Sequence, residues 1–318
     1  MRKFKELDRL RQFSKETHPL IKYNELADVK TNDKSFPIIS IELGPSDPTL
    51  PTFGLFGGIH GLEKVGTHII LYYLESLKKQ LSWDSELEER LSKVRIVSIP
   101  MVNPAGVYNL TRSNPNGVDL MRNAPVTADD KTPFLIGGQS ISSKLPWYKG
   151  DSSKLEIESQ TLINYCKEHL FKSQVAFALD IHSGFGIKDR LWYPYAKTKK
   201  PFPLEKEALI FSNLLNEIHP YHIYNVESQS KSYLTDGDLW DYVFDLHYRE
   251  NRGNKVLLPW CLEMGSWLWI KKNPKQLLSG LGIFHPVKPH RYRRIMRRHY
   301  SLLDFFSKSL VNHHRWLK

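Results

Sequence analysis

Short β-rich segments, several of them apolar on both faces, constrain the fold most, because only a covered sheet buries strands of this kind. Five segments are predicted strands: Ile38–Leu43, Thr52–Gly57, Val94–Ile99, Val175–Asp180 and Val256–Leu262. Three intervening segments carry apolar residues at helical spacing: Val65–Gln80, Lys154–Leu170 and Leu204–Ile218. The alternation of the two kinds of segment predicts an α/β fold.

The chain is long enough to fold around a hydrophobic core without help from a metal or a disulfide. A chain of 318 residues buries roughly 75% of the surface that its unfolded form exposes. Cys166 and Cys261 are far apart in the sequence, so neither a disulfide framework nor a thiolate zinc site is expected. No repeat or long linker divides the chain, although residues 123–153 form a long excursion. We therefore expect one domain over residues 1–283.

The positive charge is concentrated at the C-terminal end. Residues 284–318 contain nine Lys or Arg residues and one acid, Asp304, so they hold +8 of the net charge of +11. Apolar residues at helical spacing accompany this charge, which predicts a basic helical appendage packed on the same domain. The arginines could also bind RNA or an anionic membrane surface, but without a recognised motif we expect no specific nucleic-acid partner.

The sequence also carries expectations about location. The first twelve residues are charged throughout and lack an apolar core, which is not the pattern of a secretory signal. Since no apolar run approaches ~18 residues, no membrane span is expected. A cytoplasmic protein is the expectation, and the oligomeric state is left open.

The clearest functional motif is a turn rich in small residues directly after the strand Thr52–Gly57. It contains His60 and Glu63, three residues apart, and this spacing can bring an imidazole and a carboxylate to one ion. A His/His/Glu set is an established catalytic zinc site that leaves a coordination position for water. The best third ligand is His182, at the carboxyl end of an apolar strand, where open α/β sheets place their sites.

Further motifs occur in a recognisable order along the chain: Asn103-Pro104-Ala105-Gly106, Arg112, Asn116-Gly117-Val118-Asp119-Leu120-Met121-Arg122-Asn123 and Cys261-Leu262-Glu263-Met264-Gly265. With the His60 turn, these pieces give the chain a resemblance to the zinc carboxypeptidase family, from about residue 50 to about residue 270. The resemblance implies a single-domain, mixed, mostly parallel twisted sheet of about eight strands with helices on both faces. It also implies one zinc ion per chain, held by His60, Glu63 and His182.

The resemblance assigns roles to other residues by motif. Glu263 would be the general base that activates a water molecule, and Arg112 would polarise the scissile carbonyl. Asp119 would orient a ligand histidine. Arg122 would bind the terminal carboxylate of the substrate, with the adjacent Asn123 as a further substrate contact. From the strand pattern, Asp180 is a weaker candidate to orient His182, because residues two apart share a strand face.

The chain departs from the family pattern in places. The family has Asn before the carboxylate-binding Arg, whereas this chain has Met121, which cannot donate a hydrogen bond. Tyr233 is the nearest match to the family's mobile tyrosine, with Tyr242 as the alternative. Asp238 or Leu239 would then contribute to the specificity pocket.

One more segment differs from the family in length. The segment of residues 245–255 contains more residues than is usual in the family. The extra length suggests a solvated loop or a rim of the active site.

Three functions are compatible with these motifs. The first is a zinc-dependent metallopeptidase that hydrolyses a peptide or amide bond near a substrate carboxylate. The alternative is an amidohydrolase of the aspartoacylase or succinylglutamate desuccinylase kind, which would act on an acylated amino acid. A third reading, from a different class, is a non-catalytic protein that binds anions through its basic tail. The intact set His60, Glu63, His182, Arg112 and Glu263 favours an enzyme.

Overall fold

The computed structural model describes residues 3–15, 18–151 and 154–317. These residues contain one mixed sheet of eight strands: β1 (Ile21–Lys30), β2 (Ser35–Leu43), β3 (Thr52–Gly57), β4 (Arg95–Ile99), β5 (Val175–Ser183), β6 (Arg190–Tyr193), β7 (Asn225–Ser228) and β8 (Val256–Met264). The spatial order is β1-β2-β4-β3-β5-β8-β6-β7. The predicted α/β class and the eight-stranded mixed sheet are confirmed.

The four central strands of the sheet are parallel, and the outer strands on each side include antiparallel pairs. Strands β4, β3, β5 and β8 run parallel, whereas β2 joins β4, and β6 joins β8, in antiparallel fashion. All residues of β3, β4 and β5 are buried, as the apolar character of both faces predicted. Because these strands are parallel, their carboxyl ends meet at one edge of the sheet, where the candidate site lies.

Ten helices surround the sheet within the described residues: α1 (Lys5–Gln12), α2 (Val65–Gln80), α3 (Ser85–Lys93), α4 (Pro104–Asn109), α5 (Ile157–His169), α6 (Glu205–Ile218), α7 (Leu239–Glu250), α8 (Trp267–Lys272), α9 (Pro289–Val311) and α10 (His313–Trp316). Two buried apolar clusters cover the two faces. One includes residues of α2, α6 and α9, and the other includes residues of α5 and α7. None of these helices is both long and apolar enough to span a bilayer.

The expectation for residues 245–255 is corrected by the structure. Residues 245–250 are the last turns of α7, and only a short turn precedes β8. Asn251 and Lys255 donate hydrogen bonds to the carbonyl oxygen of Phe171, beyond the carboxyl end of α5. The segment therefore lies at the amino end of β8 and cannot form a rim of a site at the opposite edge.

The C-terminal segment is part of the same core as the sheet. The ring of Phe306, on α9, stacks on that of Phe53 at 5.4 Å between centroids and meets Phe177 edge-on at 5.6 Å. Arg90 of α3 pairs with Asp304 at 2.7 Å. The basic appendage predicted for residues 284–318 thus supplies an apolar face that covers the sheet. Lys318 of this segment lies outside the described residues, and so do Met1 and Arg2 at the charged N-terminal end.

Candidate active site

The turn after β3 places His60 and Glu63 at the carboxyl edge of the sheet. Glu63 ends a short 3-10 turn directly before α2, and both side chains are buried. The turn packs tightly on α4: a Cβ added at Gly61 would lie 2.0 Å from the backbone carbon of Gly106. Asn103 caps α4 and donates from its side chain to the Ile59 carbonyl oxygen at 3.2 Å, which fixes the turn.

His182 reaches this turn because β5 continues to Ser183, beyond the predicted strand end. The His182 Nδ1 atom lies 3.1 Å from Glu63 Oε2, and the Ser183 amide donates to the same oxygen at 2.9 Å. One ligand atom from each of His60, Glu63 and His182 falls within 4.8 Å of the others. The structure therefore brings together the three residues predicted as metal ligands.

The chemistry of this set fits a divalent metal ion. Two imidazoles and a carboxylate are typical zinc donors. The Nδ1 atom of His60 is buried and has no hydrogen-bond partner among the described residues, so it is an unsatisfied polar atom in the interior. Its Nε2 atom lies 2.9 Å from Arg112 Nη2. A cation between the three side chains would satisfy the orphaned nitrogen.

The ionisation of the three residues depends strongly on their neighbours. Burial and the nearby Arg112 charge lower the pKa of His60 to about 3. Burial lowers the pKa of His182, but the carboxylates of Asp180 and Glu63 outweigh it and raise the pKa above its ordinary value. The Glu63 pKa is lowered because His60, His182 and Arg112 outweigh its burial. The cluster thus contains a carboxylate and a neutral imidazole without any metal.

One aspartate contacts a predicted ligand histidine directly, and a second aspartate lies near the other histidine. Asp180 Oδ2 lies 2.6 Å from His182 Nε2 and also accepts a 2.8 Å hydrogen bond from the Trp240 indole. Asp119 accepts from Arg112 Nε at 2.9 Å, and its other oxygen lies 3.8 Å from His60 Nδ1. A contact such as that of Asp180 fixes the orientation of a metal-binding imidazole, whereas 3.8 Å is too long for a hydrogen bond from His60 to Asp119. Asp180 therefore contacts the predicted ligand His182 directly. The sequence had indicated Asp180 only as the weaker candidate for this role.

Glu263 lies beside His182 on the neighbouring strand. The two residues are in register in the parallel pair of β5 and β8, and Glu263 lines the same cavity. Its Oε1 accepts a 3.0 Å hydrogen bond from the Phe185 amide. Burial and the negative charge of Glu63 raise the pKa of Glu263 to about 8. A carboxyl group with this pKa can bind and release a proton near neutral pH.

The two predicted arginines line the cavity. Arg112 contacts His60 and Asp119 as described, and Nη1 lies 3.5 Å from Glu63. Arg122 is buried and donates to the carbonyl oxygens of Ile136 at 3.2 and 3.3 Å and of Met121 at 3.1 Å. Both guanidinium groups are therefore held by the protein at the wall of the cavity.

The cavity has a volume of about 540 Å³ and a largely aromatic wall. Tyr233 lies in this wall, in contact with the rings of Phe185 and Trp192. Burial raises the pKa of Tyr233 to about 12, so the phenol is protonated. Sequence reasoning missed the remaining large side chains of the wall: Trp147, Phe185, Trp192, Trp267 and Phe284. No sequence signal marked them, since they come from separate loops, from β6 and from the start of α8.

The structure does not bring every predicted substrate contact to the cavity. Asp238 is the N-cap of α7 and accepts from the amides of Trp240 and Asp241, both at 3.0 Å. The side chain of Asn123 donates to the Lys149 carbonyl oxygen and accepts from an amide. The polar atoms of Asp238 and Asn123 are thus used within the protein, and neither is among the described residues that line the cavity, so substrate binding by these two residues stays a prediction.

The alternatives named with these residues also lie elsewhere. Leu239 belongs to the core cluster between α7 and the sheet, and Tyr242 packs against that cluster.

Comparison with known proteins gives a consistent result. The sequence pattern of the zinc carboxypeptidases matches residues 25–252. Human carboxypeptidase D is 30% identical over 126 residues, 36% of this chain and 9% of the relative. The catalytic chain of rat carboxypeptidase N is 26% identical over 170 residues, 49% of this chain and 35% of the relative. The chain thus aligns with well under two thirds of the length of these relatives.

Solved structures resemble the whole fold. Carboxypeptidase A from Helicoverpa armigera superposes with a TM-score of 0.69 and 17% identity, covering 98% of this chain and 74% of that one. Thrombin activatable fibrinolysis inhibitor superposes with a TM-score of 0.68 and 16% identity, covering 97% and 71%. At these identities the likeness concerns the fold alone.

Proposed function

Because this chain belongs to the zinc carboxypeptidase family, we propose that it is a zinc-dependent metallopeptidase that cleaves a peptide or amide bond near a substrate carboxylate. The observation that carries the proposal is the position of Glu263. It lies in register with His182, next to the His60, Glu63 and His182 cluster and inside the same cavity. Three metal donors and one protonatable acid at one point are what hydrolysis by an activated water requires.

His60, Glu63 and His182 would hold one zinc ion per chain. When bound, zinc supplies Lewis acidity, which polarises a carbonyl oxygen and lowers the pKa of water. Asp180 keeps the imidazole of His182 in place through its 2.6 Å contact with Nε2, leaving Nδ1 directed toward Glu63. The ligand set leaves Glu263 free for another task.

Glu263 would carry the proton. Its carboxylate accepts a proton from the attacking water and delivers it to the leaving amine. The Phe185 amide holds one oxygen, which leaves the other available for this transfer. The raised pKa of Glu263 favours its protonated form, which is the form that delivers a proton to the leaving amine.

Arg112 and Arg122 would bind the substrate. A guanidinium group can form paired hydrogen bonds with a carboxylate or stabilise a developing oxyanion. Arg112 is nearest to the cluster, so we assign it to the scissile carbonyl. Arg122 lies beside Met121 at the wall and would bind the substrate carboxylate, with Tyr233 closing over the substrate.

The residues of the cavity wall also indicate which substrate side chains the enzyme would accept. Among the described residues that line the cavity, the acids are Glu63 and Glu263, which already have roles. No other carboxylate lines the cavity to pair with a basic side chain, whereas Met121, Ile136 and the aromatic wall offer apolar surface. We therefore expect substrates with an apolar side chain to be preferred.

Metal analysis after dialysis against zinc tests the ligand set. We expect close to one zinc per wild-type chain and little in His60→Ala or His182→Ala, with the exposed His314→Ala as the matched control. The loaded enzyme is then offered peptides with free and amidated C-termini, peptides with γ-linked acids and N-acylated amino acids. Turnover of acylated amino acids alone would identify an amidohydrolase, and full zinc in both histidine variants would disprove the assigned ligands.

A further inference from the structure

A long part of the chain near the cavity contains no acidic residue. Between Glu263 and Asp304 there are nine Lys or Arg residues and no Asp or Glu. Trp267, Ile283 and Phe284 from the same stretch line the cavity, so it adjoins the proposed catalytic centre. The stretch includes α8, the loop that follows it and the part of α9 before Asp304.

Four exposed basic side chains lie on one face of the first turns of α9, apart from Arg298 and Lys308, which pair with Asp189 and Asp304. His290, Arg293, Arg294 and Arg297 follow helical spacing on one face and are all exposed, whereas Ile295 and Met296 face the core. Within the described part of the chain, none of the three arginines forms an ion pair with an acid. Three unpaired guanidinium groups side by side repel one another, so an anionic partner would stabilise the arrangement.

Exposed apolar side chains accompany this charge. Leu278 is 90% exposed, Leu277 58%, Trp267 47% and Val287 42%. The surrounding segment is held to α9, since the Arg291 guanidinium donates to the Trp269 carbonyl oxygen at 2.7 Å. Its loop is closed by Gln276, whose side chain donates to the carbonyl oxygens of Gly282 and His285. Leu277 and Leu278 are therefore presented by a hydrogen-bonded loop.

We propose that this surface, formed by residues 267–297, docks the protein onto an anionic lipid surface. Basic side chains attract acidic headgroups, and neighbouring apolar side chains enter the boundary between headgroups and acyl chains. The aliphatic Leu277 and Leu278 favour lipid over nucleic acid, because phosphate contacts alone give no reason to expose them. Docking would bring the cavity, which shares Trp267 with this surface, close to the lipid.

Flotation of the full chain with vesicles tests the proposal. Vesicles of phosphatidylcholine alone are compared with vesicles of equal parts phosphatidylcholine and phosphatidylglycerol. The test variant is Arg293→Gln/Arg294→Gln/Arg297→Gln. The matched control removes the same charge at the opposite edge of the sheet, by Lys172→Gln/Arg249→Gln/Arg252→Gln. A second variant, Leu278→Asn, keeps all charges.

We expect binding to the anionic vesicles only, reduced at least tenfold by the arginine variant, several-fold by Leu278→Asn and little by the control. An equal loss in the control would overturn the proposal, because net charge rather than this surface would then explain binding. So would absence of flotation by the wild type. Binding that is insensitive to Leu278→Asn and is competed by RNA would assign the surface to nucleic acid instead. None of these results depends on peptidase activity.

Discussion

The proposed chemistry depends most directly on the carboxyl group of Glu263. Replacing it with Gln keeps the size of the side chain and the hydrogen bond from Phe185, but removes the proton acceptor. We expect zinc content to be unchanged and kcat to fall by roughly 10²–10⁴-fold, with KM little altered. The check is steady-state kinetics beside metal analysis, with the exposed Glu217→Gln on α6 as the control. Activity within a few-fold of the wild type would mean that another acid is the base.

Asp180 holds one of the proposed zinc ligands rather than the metal itself. Asp180→Asn keeps the shape but weakens the hold on the His182 ring, so we expect zinc affinity to fall roughly 10–100-fold. Competition with a chelator of known affinity measures the change. Trp240→Phe removes a hydrogen bond to Asp180 while leaving its carboxylate in place, and should cost less affinity. The interpretation fails if Trp240→Phe costs as much as Asp180→Asn.

Met121 stands where the family has an amide next to the carboxylate-binding arginine. Its side chain lines the cavity beside Arg122 and offers no donor, so one charge-assisted hydrogen bond is absent, worth ~1.5–3 kcal/mol. Met121→Asn should raise kcat/KM for free-carboxylate peptides by about tenfold or more, and leave amidated peptides unchanged. Met121→Leu is the control. If the wild type already prefers free carboxylates by roughly a thousandfold, another donor completes the clamp.

At the scale of elements, the strands that build the site were the predictable ones. Strand β3 and helix α2 have the predicted bounds, Thr52–Gly57 and Val65–Gln80. An apolar strand, a small-residue turn and an amphipathic helix in succession allow only one assignment of secondary structure. Edge strands escaped detection. A bulge between Glu25 and Ala27 breaks the alternation of β1, and β7 is short and half-exposed. The ligand set followed from strand ends, whereas the cavity wall depends on loops that only tertiary packing brings together.

The position of Asp238 at the start of a helix indicates a structural role for this residue. It begins α7 as an N-cap, so Asp238→Ala should lower the free energy of unfolding by about 1–2 kcal/mol. Asp238→Asn retains an acceptor oxygen and should keep most of the stability. Denaturant unfolding measures both, and peptide kinetics should show unchanged side-chain preference. Altered preference with unaltered stability would restore Asp238 as a substrate contact.

At the scale of the whole molecule, the buried histidines link stability to pH. His247 is fully buried, and neither ring nitrogen has a hydrogen-bond partner among the described residues. Burial, with the charge of Lys255, lowers the pKa of His247 to about 4, and burial also lowers the pKa of His299 to about 4 and that of His285 to about 2. The native state keeps these rings neutral at pH values where the unfolded chain protonates them.

The sign of the pH effect follows from this difference in bound protons. Below the unfolded pKa of about 6.5 the unfolded state binds more protons, so the free energy of unfolding falls as pH drops from about 6.5 toward 4. Each such histidine contributes a slope of up to ~1.4 kcal/mol per pH unit. His247→Leu should remove the contribution of one ring and flatten the slope measured by denaturant unfolding with zinc held constant. Phe171→Leu alters the same packing, since the two rings meet edge-on at 5.2 Å, and should leave the slope unchanged. Equal slopes in wild type and His247→Leu would show that His247 is protonated in the native state or is reached by water.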